Sequence, residues 1–274
     1  MLKGQLFLNM NILQAIFLGI LQGLTEFLPV SSSGHLVIFQ NIFGLQEPAI
    51  TFDVLVHFGT LIALLIFFRK DIKDIFQNLE KEIKERKRGE YLNLFFSLII
   101  GTIPIIIWGI LLKRIIDLLF DSLLLVGVSF LFTAAILFLT LLFKELKKDF
   151  KDIDFLDAVI IGIFQAFSIL PGLSRSGTTV SASLFQGLKR ETAFKFSFFL
   201  GIIAILGATL LQIPEFLHFN TQEIINGLVG FLFSAIIGFL ALRLLQKIVL
   251  QKKLHYFGFY CAILGIICIL IYFL

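Results

Sequence analysis

Long apolar segments of similar length alternate with short polar segments along this chain. Segments with almost no charged residue cover 51–68, 91–112, 122–143, 191–213, 223–245 and 254–274. Each is close to the ~20 residues that an α-helix needs to cross the hydrocarbon core of a bilayer. The pattern therefore predicts six transmembrane helices.

Two further apolar segments, about 6–44 and 156–188, are interrupted by Pro, Gly and Ser near their middle. A broken backbone is tolerated at membrane depth only where it is buried in protein or lines a wet cavity. We therefore expect two re-entrant helix hairpins. The predicted fold is an all-α integral membrane protein, with six transmembrane helices and two re-entrant hairpins.

These two segments contain related motifs, GILQGLTEFLPVSSSGH at 19–35 and GIFQAFSILPGLSRSGT at 162–178, which lie 143 residues apart. The similarity predicts an internal duplication within a single membrane domain, 1–274, with repeat 1 at about 1–143 and repeat 2 at about 156–274. The copies differ in their ionisable residues. Glu26 and His35 occur only in the first, and Arg175 occurs only in the second, so each half is expected to supply different chemistry to one shared site.

Composition supports the membrane interpretation, since 58% of the residues are hydrophobic, 15% are charged and the mean hydropathy is +0.98. An ordinary soluble domain is far less apolar. Lys and Arg concentrate in 69–90, 144–155 and 246–253, which predicts that these segments are cytoplasmic. This accounts for the net charge of +4, so nucleic-acid binding is not expected.

The same charge pattern predicts that the two halves have opposite orientations in the membrane. The first hairpin then enters from the outer face and the second from the inner face. Their tips meet near the midplane, where transporter-like folds build binding sites. The segment 69–90 is expected to be an amphipathic helix beside the membrane.

Ionisable residues at membrane depth are costly, and Glu26, His35 and Arg175 are therefore candidates for function. Hydroxyl groups and glycines accompany them at the predicted tips, namely Ser31, Ser32, Ser33, Ser174, Ser176, Thr178, Thr179, Gly34, Gly172 and Gly177. Hydroxyls, helix N-termini and an Arg fork together favour phosphate binding. The alternative is a structural Glu26–Arg175 ion pair with His35 hydrogen-bonded to backbone.

The motifs QGLTEFLPVSSSGH and PGLSRSGTT resemble the two signature motifs of the bacitracin-resistance type undecaprenyl-diphosphate phosphatases. The resemblance covers the whole chain in length, order and number of spans. Gln22 stands where many members have Glu, which leaves Glu26 as the sole carboxylate in the first motif. This weakens any arrangement that needs two carboxylates on a metal ion.

The resemblance implies hydrolysis of undecaprenyl diphosphate to undecaprenyl phosphate, the lipid carrier that peptidoglycan synthesis reuses. It also implies a site in the bacterial plasma (inner) membrane and a divalent cation, Mg²⁺ or Ca²⁺, with Glu26, helped by Gln22, either holding that cation or acting as a base. The charge pattern predicts that this site is open to the outer face. The phosphate groups would be bound by Arg175 and by a set of hydroxyl and glycine residues, Ser31, Ser33, Ser174, Ser176, Thr179, Gly172 and Gly177. The expected partners are this lipid substrate and the membrane lipids. Whether the protein forms a homodimer is not decided by the sequence.

The nucleophile is not decided by the sequence. His35 can attack phosphorus directly or can activate Ser32, Ser31 or a water molecule. We favour direct involvement of His35, as nucleophile or as general acid/base, over a purely structural role. Asp53 and His57, one helical turn apart in the first span, are supporting candidates only. A polyprenyl-phosphate translocase that uses the same site is the alternative function, since inverted repeats with broken helices are also typical of transporters.

Overall fold

The chain is almost entirely α-helical in the computed structural model, which describes residues 10–45, 50–87, 89–112, 119, 122–143, 146–211 and 221–274. Eleven α-helices occur in these ranges: α1 (Ile12–Phe27), α2 (Ser32–Ile42), α3 (Ile50–Phe67), α4 (Arg69–Lys84), α5 (Glu90–Leu112), α6 (Leu123–Leu139), α7 (Phe155–Phe167), α8 (Arg175–Phe185), α9 (Arg190–Leu211), α10 (Thr221–Leu250) and α11 (His255–Phe273). The described residues contain no β-strand, which confirms the all-α prediction.

Five helices are long and apolar enough to cross a membrane, namely α5, α6 with its 3₁₀ extension to Leu142, α9, α10 and α11. A sixth candidate is the pair α3 and α4, which is bent by 66° at the residue between them. The described residues therefore contain five span candidates, or six if this bent pair counts as one span, against the six that the sequence predicts. The connections at 46–49, 113–118, 120–121 and 212–220 lie outside the described residues.

Helix α4 corresponds to the amphipathic helix predicted within 69–90. None of its residues is buried, and it turns away from the apolar helix α3 immediately after Phe67. Lys195 of α9 forms an ion pair with Asp71 (2.8 Å), which connects α4 to the helical bundle. Lys195 therefore helps to fix the position of α4 relative to α9.

The two motif segments both form a pair of short helices with a break between them. Helix α7 begins 143 residues after α1, and α8 begins and ends 143 residues after α2. Pro29 and Pro171 lie in the two breaks. Since proline has no N–H and fixes its φ angle, it interrupts a helix where it occurs in the interior. The helices on either side are too short to cross a bilayer by themselves.

Close glycine contacts pack each of these segments against a long helix from the other half of the chain. Helix α1 packs against α10, where a Cβ atom added to Gly19 would lie 2.6 Å from the Gly230 carbonyl oxygen. Helix α7 packs against α5, where a Cβ atom on Gly162 would lie 2.5 Å from the Gly101 carbonyl oxygen. Larger residues would force these backbones apart, so the glycines determine how closely the two halves approach.

Candidate active site at the hairpin tips

A serine caps the helix that follows each break. Ser31 is the N-cap of α2, and its Oγ accepts a hydrogen bond from Gly34 N (3.3 Å). Ser174 is the N-cap of α8, and its Oγ accepts from Gly177 N (3.1 Å). A serine side chain is well suited to accept from these otherwise unpaired N–H groups. Two helix N-termini, each a favourable site for an anion, are thereby placed at the tips.

The two tips contact each other directly. Ser31 Oγ accepts a hydrogen bond from Gly172 N (3.1 Å), and Ser176 Oγ donates to the Leu28 carbonyl (3.4 Å). A Cβ atom added to Gly34 would lie 2.9 Å from Gly172 Cα, so this approach requires a glycine. Gly172 itself has a φ of +92°, a backbone conformation that residues other than glycine rarely adopt. The structure thus brings together the motifs that the sequence paired.

Glu26 is the centre of a polar network that joins the halves. Its Oε1 accepts from Arg175 Nη2 (2.6 Å), and its Oε2 accepts from Ser32 Oγ (2.6 Å) and from Gln22 Nε2 (3.1 Å). Glu26 is 8% exposed. A buried carboxylate requires such partners, and here they come from α1, α2 and α8. The network places a serine hydroxyl, a carboxylate and a guanidinium within hydrogen-bond distance.

Arg175 retains an unused donor. Its Nη1 atom is buried and has no hydrogen-bond partner among the described residues, while the guanidinium carbon lies 5.9 Å from the centre of the Phe198 ring. A Cβ atom added to Gly201 on α9 would overlap Nη1, so the guanidinium occupies the space that this glycine leaves. A buried N–H of a cation without an acceptor is costly. An anionic ligand would supply that acceptor.

His57, predicted only as a supporting residue, contacts the carboxylate at the centre. Its Nε2 atom lies 3.5 Å from Glu26 Oε2, and its Nδ1 bonds the carbonyl of Asp53 (2.5 Å). The Asp53 carboxylate accepts from Gln40 Nε2 (2.8 Å). The signal that could have identified His57 was an ionisable side chain within an apolar span.

The side-chain hydrogen bonds of His35 go to groups other than the Glu26 carboxylate. Its Nδ1 atom bonds the Ser31 carbonyl (2.7 Å), and its Nε2 atom bonds the Tyr260 hydroxyl (2.7 Å). The Glu26–Arg175 ion pair and the histidine-to-backbone bond of the alternative interpretation are thus both present. Of the predicted nucleophiles, Ser32 is the one whose side chain contacts Glu26.

Some predicted phosphate ligands use their hydroxyls locally. Thr179 Oγ1 donates to the Arg175 carbonyl (2.8 Å), and Thr178 Oγ1 donates to the same carbonyl (3.0 Å). Thr133 on α6, which the sequence analysis missed, donates to the Gly172 carbonyl and accepts from Ser174 N. This threonine fixes the second tip, and a buried hydroxyl in an apolar span was its only sequence signal.

The residues around Glu26 offer few ligands for a metal ion. The described residues contain no group of three or more His, Cys, Asp and Glu side chains that could hold one. Gln22 Oε1, however, is buried beside Glu26 without a hydrogen-bond partner. Mg²⁺ and Ca²⁺ bind oxygen ligands, and Mg²⁺ commonly uses one or two protein groups together with substrate phosphates and water. The donor set fits a cation held in this shared way.

Comparison with known proteins assigns this arrangement to a family. The model of the family described as bacitracin resistance protein BacA matches residues 15–267. The chain belongs to the BacA family. The matched range includes both hairpin tips and the helices α9, α10 and most of α11.

Three similar curated proteins share one name, undecaprenyl-diphosphatase, and each aligns with this chain over nearly its whole length. The chain is 44% identical to an undecaprenyl-diphosphatase of Thermosipho africanus, over 92% of this chain and 97% of that protein. It is 41% identical to the undecaprenyl-diphosphatases of Methanococcus maripaludis, over 91% and 96%, and of Carboxydothermus hydrogenoformans, over 94% and 96%. The family resemblance expected from the two motifs is confirmed.

Proposed function

We propose that this chain is an undecaprenyl-diphosphatase that hydrolyses undecaprenyl diphosphate to undecaprenyl phosphate and inorganic phosphate at the hairpin tips. The observation that carries this proposal is the Glu26 network, in which a serine hydroxyl and an arginine meet one carboxylate. The names of the curated relatives support the same reaction. The product is the lipid carrier that cell-wall synthesis reuses.

The terminal phosphate is bound by Arg175 and by the N-termini of α2 and α8. Arg175 Nη1 supplies a buried donor, and the guanidinium remains anchored to Glu26 through Nη2. Arginine suits this role because its planar fork matches two phosphate oxygens. The polyprenyl tail stays in the surrounding lipid, where the spans expose apolar side chains such as Ile106, Ile110 and Ile236.

Ser32 is the proposed nucleophile. Its Oγ atom forms a bond to the terminal phosphorus, its proton passes to Glu26 Oε2, and the anhydride P–O bond breaks to release undecaprenyl phosphate. Water then hydrolyses the phosphoserine to inorganic phosphate and restores the hydroxyl. Attack by His35, one of the roles that the sequence leaves open, requires its Nε2 hydrogen bond to Tyr260 to break first.

A divalent cation, Mg²⁺ or Ca²⁺, completes the proposal. Gln22 Oε1 and Glu26 would hold it, and the ion would neutralise charge on the transferred phosphoryl group. Because this chain provides one carboxylate and one amide there, the remaining ligands would be substrate oxygens and water.

The first experiment measures phosphate release from undecaprenyl diphosphate by the purified protein in detergent. We expect release without any membrane gradient, a loss of at least tenfold with EDTA, and recovery on adding Mg²⁺ or Ca²⁺. A translocase would instead act only across sealed vesicles. Absence of release from well-folded protein with either cation would favour that alternative.

We further propose that the two hairpins are re-entrant and that the halves, about 1–143 and 156–274, are inverted repeats in the cytoplasmic membrane. Equal spacing of the hairpin helices supports the repeat, as do the matched glycine contacts of α1 with α10 and of α7 with α5. The Lys- and Arg-rich segments would face the cytoplasm. The first hairpin would then open the site to the outer face.

Cysteine labelling of the hairpin ends tests this orientation. Gly44 and Gly187 end the two hairpins 143 residues apart, and no heavy atom of the described residues lies within 4 Å of a Cβ atom added to either glycine. Their φ angles of +68° and +82° strain a cysteine, so thermal unfolding checks the folding of each variant. We expect Gly44→Cys to react with a membrane-impermeant maleimide in intact cells, and Gly187→Cys to react only after permeabilisation. The native Cys261 and Cys268 are buried and provide the background control. Reaction of both variants from one side would contradict the inversion.

A further inference from the structure

Tyr260, on the last helix α11, has a direct connection to the first hairpin tip that the mechanism above does not use. Its hydroxyl bonds His35 Nε2 (2.7 Å), and its ring is parallel to the imidazole with 5.7 Å between the centres. The next residue, Cys261, places its Sγ 3.6 Å from the Pro29 carbonyl. Helix α11 thus contacts the tip on both sides of Ser31 and Ser32.

The donor and acceptor roles of the two His35 nitrogens follow from their partners, the Ser31 carbonyl and the Tyr260 hydroxyl. His35 Nδ1 faces the Ser31 carbonyl, which can only accept, so Nδ1 carries the proton. In the neutral ring Nε2 then has a lone pair, and the Tyr260 hydroxyl donates to it. The chain of bonds runs from Tyr260 through His35 to the Ser31 backbone.

Ser31 is a position where such support is needed. Its φ angle is +65°, a conformation that non-glycine residues rarely adopt and that the surroundings must hold in place. The peptide that follows carries Ser32, whose Oγ lies 2.6 Å from Glu26 Oε2. A rotation of the Ser31 carbonyl would therefore move the Ser32 hydroxyl relative to its carboxylate partner.

We propose that Tyr260 is a positioning residue, which acts through His35 to hold the Ser31 carbonyl and thereby keeps the Ser32 hydroxyl beside Glu26. This inference rests on the proposed function in assigning the attack to Ser32. It also gives His35 a role that requires both of its nitrogens in place. Phosphate binding by Arg175 belongs to the second tip and is not expected to depend on Tyr260.

The test compares Tyr260→Phe with Tyr256→Phe, a tyrosine one turn earlier on α11 whose ring is tilted against His255 and whose hydroxyl has no hydrogen bond among the described residues. For Tyr260→Phe we expect kcat of phosphate release from undecaprenyl diphosphate to fall about tenfold, as for loss of one ordinary hydrogen bond, with KM changed less than about twofold. Tyr256→Phe should match the parent protein.

Two further measurements identify His35 as the intermediary. In a His35→Ala background, Tyr260→Phe should have no additional effect on kcat, because the bond it removes is already absent. The ¹⁵N spectrum of labelled histidine should show the His35 Nε2 signal shifted in Tyr260→Phe and unchanged in Tyr256→Phe. Additive losses, a change confined to KM, or an unshifted His35 signal would overturn the proposal. If the parent protein released no phosphate, the proposed function would fail, whereas the spectrum would still decide whether Tyr260 holds His35.

Discussion

Replacing Arg175 with lysine should lower phosphate release by about a hundredfold, and replacing it with alanine should lower release by about a thousandfold. Lysine keeps the positive charge but lacks the planar guanidinium, which can bond Glu26 through Nη2 and phosphate through Nη1 at the same time. Alanine also leaves Glu26 buried without its cationic partner. Both values are measured as kcat/KM on undecaprenyl diphosphate in detergent, with thermal unfolding as the check on folding.

A second variant tests the position of the guanidinium while leaving Arg175 in place. Gly201→Ala should displace Nη1 and lower release about tenfold, because the added methyl group would overlap that atom. Gly207→Ala on the same helix is the matched control, since no heavy atom of the described residues lies within 4 Å of its added Cβ atom. Arg243→Lys, which alters an arginine stacked on Phe239, is the control for the arginine change. Equal activity of Arg175→Lys and the parent protein would contradict a role for the planar guanidinium in binding phosphate.

The sequence predicted the helical framework and the meeting of the two motifs because both depend on local and repeated signals. Apolar length determined the spans, and proline with serine determined where each motif segment breaks and restarts. The cap residues Ser31 and Ser174 occupy the same position in the two motifs, so their equivalent hydrogen bonds follow from the repeat. These features need no knowledge of how the helices cross.

The partners of the two histidines were not predictable in this way. His35 contacts Tyr260, which lies 225 positions later in the chain, and this pairing depends on how α11 packs beside the first tip. His57 reaches Glu26 from α3 because of the rotation of that helix. A single sequence records which residues are ionisable within an apolar span, but helix rotation decides which of them meet.

The inequality of the two motifs has a structural reason. The first motif contributes the carboxylate and the serine that lies against it, and the second contributes the cation that pairs with the carboxylate. The second motif has Ile169 at the position of Glu26, and the first has Ser32 at the position of Arg175, so neither charge occurs twice. Divergence of Glu26 and Arg175 in the two copies gives a neutral pair that retains one free donor for the substrate.

Replacing Glu26 with glutamine should lower phosphate release by about a thousandfold. The amide keeps the size of the side chain and can still accept hydrogen bonds, but it cannot take the proton that leaves Ser32. Ser32→Ala should give a comparable loss, since it removes the proposed nucleophile. Single-turnover phosphate release in detergent measures both effects. Glu191→Gln, at an ion pair with Lys195, and Ser97→Ala, on α5, are the matched controls.

The covalent intermediate decides between the two nucleophiles. Acid quenching after a short reaction with labelled substrate should trap a phosphoserine that survives acid and is absent in Ser32→Ala. An acid-labile adduct that is lost in His35→Ala and retained in Ser32→Ala would instead identify His35 as the nucleophile. In that case the hydrogen bond between His35 Nε2 and Tyr260 would have to open during turnover. Glu26→Gln would then reduce release mainly through its contact with Arg175, and Ser32→Ala would retain most of the activity.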